Sequence, residues 1–188
     1  VRKVWGTIMS LIGVFIAGAA MARWGLMGPF LVGAFIGPLS NLAFAWVATM
    51  GHDVPALMAA MAVDNIAEAF SGACLIAYMS SLTTAGFTAT QYALFASLYA
   101  IPGKLVGSQS GRIVEASARS AEDGGFSAPF RTLFDVPPEA MAKGAAAIDV
   151  SSASLGAGYV SFFIYTFLVG IVAMVLTSIL VRRKAVTA

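Results

Sequence analysis

Charge is the scarcest commodity in this sequence. Only 11% of its 188 residues are Asp, Glu, Lys or Arg, where a soluble domain carries about a quarter. With 59% hydrophobic residues and a mean hydropathy of +0.86, the composition excludes a water-soluble globular domain and indicates an integral membrane protein. The net charge of +2 is small, and the basic residues form no stripe with interleaved aromatics, which sets nucleic acid aside as a partner. Cysteine occurs once, as Cys74, and histidine once, as His52. One cysteine excludes an intrachain disulfide, and the two together supply no metal-ligand cluster. His52 shares a short turn with Asp53 and reads as a solvated loop residue. No Ser/His/Asp nucleophile set and no Walker loop occurs, so no cofactor or metal is expected and enzymatic function is not.

What the sequence does have is long apolar runs. Five are near or above the ~20 residues of a helical crossing: 4–21, 28–50, 54–82, 89–113 and 158–181. The expected fold is therefore an all-α polytopic membrane helix bundle of about five transmembrane helices. The first run, preceded by Arg2 and Lys3 and ending in Ala20-Met21-Ala22, imitates a signal peptide. Its length and the spans that follow favour a transmembrane helix opening a truncated chain. Trp5, Trp24 and Trp46 lie near span edges, the headgroup level that tryptophan prefers. An odd number of spans puts the termini on opposite sides. Arg182, Arg183 and Lys184 directly after the last span place the C-terminus in the cytoplasm by the positive-inside rule.

The segment 114–157 is the only long connection, expected outside the hydrocarbon on the periplasmic side. In it Phe126, Phe130, Leu133 and Phe134 recur at helical spacing beside Arg131. That pattern fits a short amphipathic piece on the membrane surface, or equally a loop packing its rings on the bundle. A second short helix is expected to start near Pro138.

Polar residues inside the spans are the candidates for function. An Asp at the centre of a membrane helix costs about 3 kcal/mol on insertion scales, so it marks a transport or proton-relay site by default. Counted from Pro55 at 1.5 Å per residue, Asp64 lies roughly 14 Å deep and Glu68 roughly 20 Å deep in a ~30 Å core. Asn65 follows Asp64 directly, and Glu68 lies one helical turn on. Depth arithmetic places Asn41 of the second span at nearly the level of Asp64, with Lys104 of the fourth within side-chain reach. Gln91 and Tyr92 fall near the level of Glu68. Lys104 is equally placed to serve a site or to snorkel outward. Gly103, Gly107 and Gly111 form a small-xxx-small ladder that reads as tight helix packing. Pro102 just before it adds a potential kink.

Val63-Asp64-Asn65, then Phe87-Thr88-Ala89-Thr90-Gln91-Tyr92-Ala93-Leu94, then Val106-Gly107, Gly111 and Val114-Glu115 resemble, in order and spacing, the C-terminal half of AmpG-type muropeptide permeases of the major facilitator superfamily. Ser40-Asn41 fits the same pattern, as do Gly18 and Arg23-Trp24-Gly25. The resemblance covers nearly everything outside 114–157. It implies the last five of twelve helices, with an N-terminal half and one further helix missing. It also implies proton-driven import of anhydromuropeptides across the bacterial inner membrane, in the service of cell-wall recycling. Asp64, Asn65 and Asn41 would contact sugar or peptide groups. Lys104 would bind a substrate carboxylate, and Asp64 or Glu68 would take the proton. Two features depart from the family: Glu68, where members tend to carry a small residue, and the long connection. A membrane-embedded enzyme using Asp64 and Glu68 is one rival reading. Another is a small integral subunit binding a partner through the Gly103–Gly111 face.

Overall fold

The structure, a computed structural model, describes residues 2–49, 53–83, 88–133 and 141–186. They form seven α-helices: α1 (Arg2–Trp24), α2 (Met27–Thr49), α3 (Val54–Ser81), α4 (Thr88–Ser108), α5 (Ser110–Glu122), α6 (Ala142–Ala147) and α7 (Ser152–Val186), with a 3-10 helix at Ala128–Leu133 between α5 and α6. The fold is the all-α polytopic one expected.

Among the described residues, four helices are long and apolar enough to cross a membrane: Val4–Trp24, Met27–Thr49, Val54–Ser81 and Ser152–Arg183. These four correspond to four of the five expected spans. The exception is the run 89–113, which is two helices and not one. Gly107, Ser108, Ser110 and Gly111 are weak helix formers flanking Gln109, and the chain breaks at Gln109 between α4 and α5. α4 keeps 21 residues, enough for length, but Gln91, Lys104 and its hydroxyl groups dilute its apolar character. At the other end, α7 runs 35 residues, beyond 158–181 on both sides.

Helix ends follow local chemistry. Gly25, at φ +73°, adopts the left-handed conformation that lets α1 stop and α2 start within two residues. Asp53 caps α3: its Oδ1 accepts the Ala56 N–H at 3.0 Å, satisfying one orphan donor of the first turn. His52 lies outside the described residues, as do Phe87, Phe134 and Pro138.

The chain divides into two compact units. The first comprises Val1–Ser40, Met61–Val106 and Val169–Ala188. Small residues dominate its packing. Ala17, Ala20, Phe70 and Cys74 form a buried cluster joined by Met21, Phe30, Ile36 and Ala73, and the Phe30 and Tyr78 rings stack at 4.7 Å. Where the helices press together, a methyl group would not fit. A Cβ on Gly13 would lie 2.5 Å from the Ile66 carbonyl oxygen and one on Gly33 3.1 Å from the Ser71 Cα, while one on Gly170 would collide with the Pro38 ring. Outward, large apolar side chains such as Phe15, 76% exposed, present the surface a bilayer would cover.

The second unit comprises Asn41–Ala60 and Gly107–Leu168. The segment 114–157, expected as a connection, is largely helical here. α5 buries Val114, Ser117, Ala118 and Ala121, and Gly158 of α7 approaches so closely that a Cβ would meet the Val114 carbonyl at 2.7 Å. Ala145 and Leu155 complete this core with Met141, Ile148, Val150 and Phe162 around it. The ring-bearing stretch is the 3-10 helix, not an α-helix: Phe126 and Leu133 are exposed and Phe130 half-buried. It is pinned by fully buried Ser127, which receives a hydrogen bond from Ser161 of α7 at 2.9 Å. A short helix does follow, as α6, beginning at Ala142.

Candidate functional site

The site grows from small residues at coiled-coil spacing. On α3, Ala60, Asp64, Ala67, Ser71 and Cys74 step by four and three residues, a seam facing one side of the helix. Ala67 and Cys74 are buried. On α1, Gly6, Ser10, Gly13, Ala17 and Ala20 step the same way. On α2, Gly33, Gly37 and Ser40 do so as well. Small residues let backbones approach, and hydroxyls then reach across.

Two serines of this kind join α2 to α3. Ser71 Oγ lies 2.7 Å from the Gly33 carbonyl and 2.6 Å from the Ala67 carbonyl. Seven residues earlier on α3 and seven later on α2, Ser40 Oγ lies 2.7 Å from Asp64 Oδ1 and 2.7 Å from the Gly37 carbonyl. The opposite stepping of the two pairs makes α2 and α3 antiparallel. Asn65, a residue on and so turned about 100°, serves α1 instead: it donates from Nδ2 to the Met61 carbonyl at 2.6 Å and accepts from Ser10 Oγ at 3.3 Å. Its Oδ1 would lie 3.3 Å from a Cβ on Gly6. α3 thus carries two adjacent polar side chains that engage two different helices.

Asp64 and Asn65 are half-buried, and Ser40 is buried at 5% exposure. Glu68 is exposed, as is Lys104, and neither makes an ion pair among the described residues. Asn41 and Gln91 are half-buried. The hydroxyl that meets Asp64 belongs to Ser40, the neighbour of Asn41. Depth arithmetic on whole spans does not separate adjacent positions, but the spacing of Gly33, Gly37 and Ser40 would have. The glycine ladder stands apart: a Cβ on Gly103, Gly107 or Gly111 meets nothing within 4 Å among the described residues. Among the described residues no group of His, Cys, Asp and Glu could hold a metal ion.

A second carboxylate has a different setting. Glu122, at the end of α5, accepts hydrogen bonds at Oε2 from the Ser151 N–H at 2.9 Å and the Ser151 hydroxyl at 2.7 Å. Ser151 in turn caps α7, its Oγ accepting the Ser154 N–H at 3.3 Å. Arg131 Nη2 stands 4.0 Å from Glu122 Oε1. Hydrogen bonds from the Ser154 side chain and from both Ser151 groups, with the Arg131 charge, hold the Glu122 carboxyl down at about 2. Clefts open among the described residues of this unit. One of about 260 Å³ is lined by Phe44, Leu57, Tyr159 and Phe163 among others. Another of about 490 Å³ is lined by Gly111, Glu115, Gly144 and Phe162 among others.

No family model matches the chain, and no solved structure matches it. Curated proteins do. A protein named as an AmpG 3 transporter in Rickettsia prowazekii (strain Madrid E) is 30% identical over 111 residues, 59% of this chain and 26% of that protein. One named as an AmpG 4 transporter in Rickettsia conorii is 29% identical over 114 residues, 61% of this chain and 28% of that protein. The anhydromuropeptide permease of Escherichia coli (strain K12) is 26% identical over 116 residues, covering 62% and 24% respectively. In each comparison the chain spans about a quarter of the relative's length. Over about three-fifths of its length, this membrane-embedded helical chain is similar to AmpG-type transporters and permeases.

Proposed function

We propose that the chain is the C-terminal portion of a secondary active transporter that imports anhydromuropeptides, or a related small solute, across a bacterial inner membrane by proton symport. The observation that carries this reading is Asp64. A carboxylate on a helix seam of otherwise small, uncharged residues, hydrogen-bonded to Ser40, is the intramembrane group such a transporter needs, and the relatives are named as transporters and permeases. Transport would proceed by alternating access around a site near the midplane, with no covalent chemistry on the substrate. Asp64 carries the proton. Asn65, Asn41 and Gln91 offer amide contacts to sugar or peptide, Lys104 takes a substrate carboxylate, and Glu68 lies on the same helix one turn on. The exposure of Glu68 and Lys104 supports their facing further transporter helices across the site. The C-terminus lies in the cytoplasm and 114–157 in the periplasm.

The test is uptake of a radiolabelled anhydromuropeptide by vesicles holding the full-length protein. Accumulation should appear when the side of entry is made acid and vanish when the pH difference is collapsed. Accumulation indifferent to the gradient would remove proton symport, and no uptake at all would remove this substrate class. A second reading draws on the open face of Gly103, Gly107 and Gly111, which supports a helix-docking surface on an integral membrane subunit. A cysteine at Gly107 that cross-links to a separate membrane protein, in a chain inactive in uptake, would favour it.

A further inference from the structure

Ser40 holds one hydroxyl proton between two acceptors at the same distance, Asp64 Oδ1 and the Gly37 carbonyl, each 2.7 Å away. A serine bonding a carbonyl one turn back is ordinary in a membrane helix, and Ser71 of α3 likewise lies between two carbonyls, that of Ala67 one turn back and that of Gly33 across on α2. The difference is chemical. Both acceptors of Ser71 keep one state, whereas one acceptor of Ser40 can gain a proton.

We propose that Ser40 is a positioning residue for the proton on Asp64, a hydroxyl rotor that gives the carboxyl group a hydrogen-bond partner in both of its states. With Asp64 ionised, the Ser40 O–H donates to Oδ1. When Oδ1 takes up a proton, the new O–H donates to Ser40 Oγ, and the serine proton turns to the Gly37 carbonyl. Release of the proton reverses both moves. The only bond made or broken is the O–H of the acid, and Asp64 Oδ1 and the Ser40 hydroxyl remain partners at both stages. That matters because an unsatisfied polar group away from water is what makes such sites expensive. Ser40 itself is buried, at 5% exposure.

The surroundings leave this task to Ser40. α2 carries no titratable residue, and α1 carries only Arg2, Lys3 and Arg23, all near its ends. α3 itself adds Glu68, which is exposed, with Cys74 and Tyr78 further on. Elsewhere in the same unit the titratable groups are Tyr92, Tyr99 and Lys104 on α4 and Arg182, Arg183 and Lys184 on α7.

This inference rests on Asp64 being the proton carrier, and infrared difference spectroscopy separates the two claims with pH as the only probe. Full-length protein in lipid is compared at neutral and acid pH. The wild type should show a carboxylic C=O band that is absent in Asp64→Asn. In Ser40→Ala the band should move to higher wavenumber, where an acid lacking a hydrogen-bond partner absorbs, and in Ser40→Thr it should return. An Asp64-dependent band unmoved in Ser40→Ala would overturn the rotor while leaving the carrier intact. A spectrum with no Asp64-dependent band would overturn the carrier and the rotor together. If Ser40→Ala does not insert, Ser40→Cys, whose sulfur is a weaker acceptor than the hydroxyl oxygen, takes its place: an intermediate displacement supports the rotor, and none overturns it.

Discussion

Asp64 and Glu122 are both carboxylates met by serine, and they are held in opposite ways. Glu122 is surrounded by fixed donors, the N–H and hydroxyl of Ser151 and the Ser154 side chain, with Arg131 nearby, and its carboxyl is held down at about 2. It stays ionised through the whole physiological range and works as a clasp between the end of α5 and the start of α7. Asp64 has one described partner, and that partner's proton has a second place to go. A carboxylate locked by several donors is a structural element. A carboxylate met by one switchable hydroxyl on an intramembrane seam is suited to cycling.

The sharpest way to break this contrast is Asp64→Asn, which keeps the shape and removes the charge. In full-length protein, gradient-driven accumulation should fall to background while exchange of substrate down its own gradient survives, since exchange needs the site's geometry but no proton turnover. Uptake with and without an imposed pH difference measures both. Retained accumulation would mean that Asp64, too, is only structural.

The next effect concerns the close approach that puts Asn65 and Asp64 between neighbouring helices. Gly13→Leu places a branched side chain where even a Cβ would stand 2.5 Å from the Ile66 carbonyl. Overpacking of this kind costs about 1–3 kcal/mol, more where the obstacle is backbone, and should lower the thermal unfolding temperature in detergent. Gly107→Leu, whose Cβ meets nothing within 4 Å among the described residues, should leave it unchanged. Equal losses in the two variants would show that the ladder on α4 is packed as tightly as the seam on α1.

This pair also shows what could be read from the sequence. Hydropathy alone locates α1, α2, α3 and α7, because each must bury its backbone polar groups within a helix and show an apolar surface to lipid. The intramembrane carboxylate is equally legible, since insertion cost singles it out. Partner choice is not. Gly103, Gly107 and Gly111 advertise close packing by spacing, yet among the described residues it is glycines such as Gly13, Gly33, Gly158 and Gly170 that press on a neighbouring helix. The break at Gln109 leaves only a trace in the sequence, the run 89–113 turning polar toward its end at Ser108, Gln109, Ser110 and Arg112. The helical content of 114–157 is hidden because its cores use alanine and serine, which also make loops.

A smaller effect should separate the clasp from the seam by pH. The Glu122 carboxyl lies below its ordinary 4.5 in the folded protein, so its contribution is fully present above that value. It is lost as the pH falls from about 4.5 toward about 2. Relative to the intrinsic exchange rate at each pH, the protection of the Ser151, Ser154 and Leu155 amides should fall a few-fold across that window. In Glu122→Gln exchange there should already be fast at neutral pH, with no further acid step. Glu122 is exposed to solvent, so screening keeps the change local. Global unfolding in the same window would mean that the clasp holds far more than one helix start.

The smallest effect is expected at Glu68, which shares a helix with Asp64 but neither of the arrangements just compared. It is exposed and has no ion pair among the described residues, so its charge is neither locked nor given a switchable hydroxyl partner. Glu68→Gln preserves length and hydrogen-bonding capacity while removing the ionisable group. Substrate affinity should shift modestly if Glu68 faces the transported solute, and gradient-driven accumulation should persist at near the wild-type level. Uptake under an imposed pH difference, measured side by side with Asp64→Asn, decides between the two carboxylates. Should Glu68→Gln abolish accumulation while Asp64→Asn retains it, the proton would travel on the exposed group. The serine-bound pair at Asp64 would then join Glu122 as a structural contact.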